Sequence, residues 1–310
     1  MRKIISILLC AVILFTLGMP VFAADTPTED SLPYEDSEFF TYGDYTLHYR
    51  VQSAQDAKGQ IMFLHGFAAS TFCWENLAAI LVENGYTCVL VDLPDFGFSS
   101  RETKDTDRHP YEEVIHALMV ALSDEPWYLA GHSMGGYVAL AVAQTYPESV
   151  KNLLLYSSAG NNGLFNILKP LTTKDKIASF VGPIIERIGT NRFLVKLLMS
   201  YATNDRDYLA DYDLEAIMAP FRIKGTGAGI IYYLNMQTDT DYDAVSRMAP
   251  ILYINGDRDG VLPPAERIKI RAVLPEGSVD YTMKGVGHML IENRAEETAR
   301  ITLDFLSNNP

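Results

Sequence analysis

The sequence predicts an α/β fold: a mostly parallel central sheet with helices on both faces and a helical insertion late in the chain. Three observations lead there. Short apolar runs alternate with helix-like stretches from Ile61 onward, the rhythm breaks between about Asn161 and Asp243, and it then resumes toward the carboxyl end. Apolar runs that lack polar alternation are what strands show when both faces of a parallel sheet are covered.

Residues 1–23 have the shape of a secretory leader. Arg2 and Lys3 precede an apolar run from Ile4 to Leu17, followed by Gly18, Pro20 and the pattern Val21-Phe22-Ala23, with cleavage expected after Ala23. The run is shorter than the ~20 apolar residues of a spanning helix. The expected location is therefore secreted or extracytoplasmic, with no stable membrane association once the leader is removed; an uncleaved amino-terminal anchor is the alternative. Leu9 is bulky where a lipoprotein would place a small residue before Cys10. Residues 24–37 are acidic, hold two prolines and lack a period, which describes a flexible tail.

Residues 38–160 and 244–310 are expected to form the α/β core. Phe40 to Gly43 and Tyr45 to Val51 read as an antiparallel pair around the Gly43-Asp44 turn. Further strands are expected at Ile61 to Leu64, Cys88 to Val91, Trp127 to Ala130, Leu153 to Tyr156, Ile251 to Ile254 and Val279 to Met283. Trp74, Leu77, Ala78, Leu81 and Val82 fall at helical spacing before an Asn84-Gly85 stop, and Ala295, Ala299, Leu303 and Leu306 give a similar stripe. Residues 161–243 carry apolar clusters such as Phe193, Leu194, Leu197, Leu198 and Tyr201 but no run of new strands, which suggests a helical cap or lid.

The chain has 310 residues, 48% of them hydrophobic and 21% charged, consistent with one α/β domain carrying one insertion. Its formal charge is −14, and loss of Arg2 and Lys3 with the leader makes it two units more negative. Such a surface repels phosphate backbones and anionic headgroups, which argues against nucleic acid as a partner. The cysteines beyond the leader, Cys73 and Cys88, flank a helix that should hold them ~15 Å or more apart, so free thiols are expected.

The chemistry begins at Gly131-His132-Ser133-Met134-Gly135-Gly136, between an expected strand ending at Ala130 and an expected helix from Val138 to Tyr146. A serine on a sharp strand-to-helix turn needs small neighbours, and the turn exposes its hydroxyl. Its proton needs a base. His288 lies in a Gly285-Val286-Gly287-His288 loop past the last expected strand, whereas His65 and His132 read as structural and His48, His109 and His116 as solvated or packed. A carboxylate must fix the imidazole, and Gly256-Asp257-Arg258-Asp259-Gly260 offers two; Asp259 is favoured, with Asp257 as competitor. Leu64-His65-Gly66-Phe67, one strand-helix unit ahead of Ser133, would present the N–H of Phe67 beside that of Met134 to a developing oxyanion.

In this order, His-Gly-Phe, Gly-His-Ser-Met-Gly-Gly, Gly-x-x-Asp-x-x-x-Pro and Gly-x-Gly-His, the chain resembles the α/β-hydrolase fold family, in particular its capped serine esterase and lipase-like branch, over roughly Phe39 to Leu306. The resemblance implies a triad of Ser133, Asp259 and His288 with Phe67 and Met134 as oxyanion donors. Asp92-Leu93-Pro94-Asp95-Phe96-Gly97-Phe98-Ser99 also looks like a family loop, with Asp95 where a glycine is usual; aspartate tolerates left-handed geometry. The activity implied is hydrolysis of a small-molecule carboxylic ester through an acyl-enzyme. Alternatives are another triad activity, such as that of a lactonase, a perhydrolase or a hydrolase of carbon–carbon bonds, or a binding protein without catalysis. Dehalogenase and epoxide chemistry is disfavoured, because alkylating a serine leaves an ether that water cannot cleave. No cofactor or metal is expected. Phe67, Phe165, Leu168 and Leu198 are the expected pocket residues, and acyl preference depends on cap and loops.

Overall fold

Alternate residues of the central strands part to opposite faces, which is why their sequences read as unbroken apolar runs. On β3 (Gly59–Leu64), Met62 and Leu64 join a buried cluster with Leu129, Leu153, Leu155 and Tyr253. Ile61 and Phe63 join a second cluster with Cys88, Leu90, Ala130, Leu154 and Ile254. Fully burying a side chain of this size stabilises the fold by ~1.5–3 kcal/mol, so both faces must be covered for the sheet to form.

The computed structural model describes residues 32–101, 111–158, 160, 175–205, 207–235 and 240–310. The remaining strands are β1 (Ser37–Tyr42), β2 (Tyr45–Gln52), β4 (Tyr86–Val91), β5 (Trp127–His132), β6 (Val150–Tyr156), β7 (Leu252–Gly256) and β8 (Val279–Met283). They form one sheet in the order β1-β2-β4-β3-β5-β6-β7-β8. The pairs β1/β2 and β2/β4 are antiparallel, and β4/β3, β3/β5, β5/β6, β6/β7 and β7/β8 are parallel. The helices that follow core strands are α1 (Glu75–Glu83), α2 (Tyr111–Leu122) and α3 (Met134–Thr145). The expected mostly parallel α/β sheet is thus observed. Cys73 and Cys88 are buried free thiols, and burial pushes the Cys88 thiol up to about 12.

Between β6 and β7 the described residues form the α-helices α4 (Asp175–Gly189), α5 (Arg192–Thr203), α6 (Leu214–Met218), α7 (Thr226–Asn235) and α8 (Tyr242–Val245), joined by turns. Side-chain oxygens set their starts. Asn191 accepts from the N–H groups of Phe193 and Leu194, and Asp213 from those of Glu215 and Ala216. The helix α5 ends on Asn204 in the left-handed region at φ 53°. After β7 come α9 (Pro264–Arg271), α10 (Leu290–Asn293) and α11 (Ala295–Asn308). Among the described residues, no helix is long and apolar enough to cross a membrane.

Residues 1–23, expected to be a leader, and residues 24–31 lie outside the described residues. The last residues of the stretch read as a tail are fastened to the sheet instead. Asp36 pairs with Arg50 at 2.6 Å, the Arg50 guanidinium lies 3.9 Å over the Tyr34 ring, and Ser37 opens β1. Composition signalled mobility there, but ion pairing and stacking with β2 override it.

Candidate active site

All the sequence motifs lie beyond the carboxyl ends of parallel strands, the edge where open α/β sheets bind ligands. Ser133 follows β5 directly and holds φ 52° and ψ −114° at the amino terminus of α3. A non-glycine residue in such a conformation costs ~1–3 kcal/mol and persists only where its surroundings enforce it. They do so here: the Ser133 N–H donates to Tyr156 O at 3.0 Å, and the Gly136 N–H donates to Ser133 O at 3.2 Å. The flanking glycines permit the close approach. A Cβ on Gly135 would stand 2.0 Å from Leu64 O, and one on Gly131 would stand 2.4 Å from Gly136 Cα. Ser133 itself is half-buried.

His288 Nδ1 lies 2.8 Å from Asp259 Oδ2. The other oxygen, Asp259 Oδ1, accepts from the N–H groups of Val261 and Leu262, each at 2.9 Å. Burial works to raise the Asp259 carboxyl, but the His288 hydrogen bond and charge and the two backbone donors outweigh it and hold the group below its ordinary value. Asp257 faces elsewhere: its Oδ1 accepts from the Gly285 N–H at 2.7 Å, and its Oδ2 is 3.8 Å from Lys284 Nζ. The structure therefore brings Asp259, and not Asp257, to His288.

His132 connects the two halves of the site. It precedes Ser133, its Nε2–H donates to His288 O at 3.0 Å, and its ring centroid lies 4.8 Å from that of His288. Burial, with the neighbouring His288, pushes His132 down to about 3, so it remains neutral and adds no charge beside the His288 ring. The next loop is braced similarly. His65 donates through Nδ1 to Gly66 O at 2.7 Å and accepts the Leu93 N–H on Nε2 at 3.0 Å, and burial lowers its pKa. Gly66 reaches the serine turn, since a Cβ there would stand 3.3 Å from Ser133 Cβ. The Phe67 N–H thus belongs to a loop in contact with Ser133, and the Met134 N–H opens α3 without an intrahelical acceptor.

The Phe67 ring packs against Phe96 at 6.0 Å and Tyr233 at 5.6 Å, joining the first loop, the Asp92–Ser99 loop and α7 in an aromatic wall. Asp95 takes the left-handed conformation, φ 67°, that its place in that loop demands. Phe165 and Leu168 lie outside the described residues. Leu198 is 59% exposed on α5, whose Phe193, Leu197 and Tyr201 are also exposed. An open groove of about 610 Å³ lies at the opposite edge, where β3, β5 and β6 begin, lined by Lys58, Gln60, Glu125, Tyr128, Glu148 and Lys151. No histidine or cysteine is among its lining residues. Among the described residues, no group of three or more His, Cys, Asp or Glu side chains could hold a metal ion.

The other histidines among the described residues are packed. His48 is fully buried, with Nδ1 2.7 Å from Asp92 Oδ2, and His116 stacks on Tyr146 with centroids 3.7 Å apart; His109 lies outside the described residues. The sequence motifs mark His132 only as a neighbour of the serine. Its bond to His288 O spans 156 positions, and no local pattern announces it.

A family model described as the alpha/beta hydrolase fold matches residues 60–295. Lipase 1 of Psychrobacter immobilis is 26% identical over 313 residues, covering 94% of each chain. A 2-hydroxy-6-oxononadienedioate/2-hydroxy-6-oxononatrienedioate hydrolase of Klebsiella pneumoniae is 25% identical, covering 86% of this chain and 93% of the relative. Among solved structures, a bacterial membrane phospholipase A superposes with a TM-score of 0.68 at 22% identity, covering 88% of this chain and 86% of the other.

Proposed function

Because this chain belongs to the alpha/beta hydrolase fold family, matched over residues 60–295, we propose that it is a serine hydrolase that cleaves carboxylic esters through an acyl-enzyme on Ser133. The observation that carries this reading is the 2.8 Å Asp259–His288 pair, tied through His132 to the turn that presents Ser133. With Nδ1–H donated to the carboxylate, His288 Nε2 is left as the acceptor a serine proton requires.

The reaction follows from those groups. Ser133 Oγ attacks the ester carbonyl carbon while His288 Nε2 takes the hydroxyl proton, and the carbonyl π pair moves onto oxygen. The Phe67 and Met134 N–H groups stabilise that oxyanion, and Asp259 stabilises the imidazolium. Collapse re-forms the carbonyl and expels the alkoxide, which takes the proton from His288 and leaves as the alcohol. Water, deprotonated by His288, then attacks the acyl carbon, and collapse returns the proton to Ser133 and releases the acid.

The helical stretch between β6 and β7 is assigned the role of cap, and the leader that of an export signal. The wall of Phe67, Phe96 and Tyr233 suits short to medium aliphatic or aromatic acyl groups, each buried methylene adding ~0.8 kcal/mol until the pocket is full. The same triad can also hydrolyse a carbon–carbon bond beside a carbonyl, the chemistry to which the Klebsiella relative's name points. An uncharged wall favours the ester over a dicarboxylate. Turnover of p-nitrophenyl acetate through palmitate, set beside a 2-hydroxy-6-oxo-dienoate, tests the choice. Rising then falling ester turnover is expected, and turnover of the dienoate alone would overturn it.

A further inference from the structure

The loop that carries His288 is fastened to the helical insertion along most of its length. A Cβ on Gly287 would stand 2.5 Å from Thr203 O and 2.6 Å from Ala202 O, so the two backbones are in contact. The His288 N–H donates to Ala202 O at 2.8 Å. Met289 is buried with Val195, Met199, Leu209, Leu214 and Met218, the insertion's own apolar cluster. Asn293 Nδ2 donates to Thr203 O at 3.4 Å, and Arg294 faces Asp205 at 3.6 Å.

Glu292 sits at the centre of this seam, 6% exposed. Its Oε2 accepts a short hydrogen bond from the Tyr212 hydroxyl and a longer one, 3.5 Å, from that of Tyr208. Its Oε1 is buried without a hydrogen-bond partner among the described residues. Among the described residues, the titratable or charged groups around the seam are Tyr208, Tyr212 and Asp205 of the insertion, Cys73 of the turn before α1, and His288 and Arg294 on its own side, the last paired to Asp205.

We propose that Glu292 is a positioning residue for His288, joining the tyrosine pair of the insertion to the short helix that follows the histidine. The proposal rests on the reading of His288 as the catalytic base. Burial pushes the Glu292 carboxyl up to about 7, against the opposing pull of the Tyr212 and Tyr208 hydrogen bonds. A carboxyl whose pKa is raised in the docked state and ordinary once uncovered favours docking when protonated. That contribution is complete below the ordinary glutamate value of ~4.3 and is lost as pH rises through about 7. The insertion should therefore loosen from the histidine loop between mildly acidic and alkaline pH.

Backbone amide exchange across residues 202–214 and 287–294, corrected for intrinsic rates, tests this on the full chain at pH 5.5 and 8.5. Protection in the unaltered protein should fall at least fivefold at pH 8.5. In Glu292→Gln, whose amide oxygen still accepts the Tyr212 hydroxyl, protection should be equal at the two pH values. Equal protection in the unaltered protein, or an undiminished pH response in Glu292→Gln, would overturn the proposal. Should that variant not fold, Tyr212→Phe, with less protection than the unaltered protein at both pH values, is the substitute, and unchanged protection there is equally damaging. A kinetic arm separates positioning from bulk stability: Glu292→Gln should change the pH profile of kcat while KM stays within twofold, and a KM effect alone would count against positioning. Fluorophosphonate labelling of Ser133 in the unaltered protein reports on the parent reading independently of exchange, so the two can fail separately.

Discussion

Replacing Asp259 with asparagine should remove catalysis without removing the fold, and the hydrogen bonds show why. Asp259 Oδ1 accepts two backbone N–H groups, from Val261 and Leu262, each at 2.9 Å. In Asp259→Asn the amide oxygen must keep that position, because an NH₂ there would face two donors. The NH₂ then takes the place of Oδ2, 2.8 Å from His288 Nδ1. A donor facing Nδ1 selects the tautomer with hydrogen on Nε2, and that nitrogen can no longer accept the serine proton. A wrong tautomer in a triad of this type costs ~10⁴-fold in turnover, equivalent to ~5.4 kcal/mol of transition-state stabilisation. Asp257→Asn should cost less than about tenfold, since among the described residues the Asp257 carboxylate meets the Gly285 N–H and the distant Lys284 ammonium and not His288. Steady-state kcat on p-nitrophenyl butyrate, with thermal unfolding as the control for folding, measures both. Asp259→Asn retaining a tenth of the turnover, or Asp257→Asn proving the more damaging, would refute the tautomer argument.

Other expectations follow from single contacts. Gly135→Ala places a Cβ 2.0 Å from Leu64 O; backbone cannot yield as a side-chain tip can, so a loss at or above the ~3 kcal/mol upper range of overpacking is expected, and an unchanged melting temperature would contradict it. Phe67→Ala removes the ring between Phe96 and Tyr233; kcat/KM for hexanoate relative to acetate should drop about tenfold, and an unaltered ratio would take Phe67 out of the acyl pocket. Asp259 has its carboxyl held below the ordinary value, so its pairing stabilises the fold at neutral pH and is lost as pH falls through the lowered value. Acid titrations of melting temperature for the unaltered protein and Asp259→Asn should therefore begin to approach each other below the ordinary aspartate value of ~3.9 and converge only below the lowered one, and a gap that does not narrow in acid would contradict this.

The strands were legible because the sheet is covered on both faces: Ile61 to Leu64 and Cys88 to Val91 could satisfy neither a one-sided strand nor a long helix. Asp95 was legible as a left-handed turn because few side chains tolerate that geometry, and it holds φ 67°. The choice between Asp257 and Asp259 was not legible in the same way. Both follow β7 within a few positions, and the difference arises from which carboxylate caps the Val261-Leu262 turn and which accepts from Gly285. Nor could Leu198 be placed by apolarity, since α5 leaves Leu198 59% exposed while burying Leu194, Val195 and Met199. The contacts of the His288 loop with Ala202, Tyr208 and Tyr212 are long-range and join types with no fixed spacing. Local periodicity carries no trace of them.

Ser133 as the acylated nucleophile is the claim on which the rest depends. Treating the protein and its Ser133→Ala variant with a fluorophosphonate, then locating the adduct by peptide mass spectrometry while following ester turnover, addresses it directly. One adduct on Ser133, with turnover falling as the adduct accumulates and both lost in a folded Ser133→Ala variant, is the expected result. An adduct on another residue that tracks the loss of activity, or turnover retained in the variant, would contradict it.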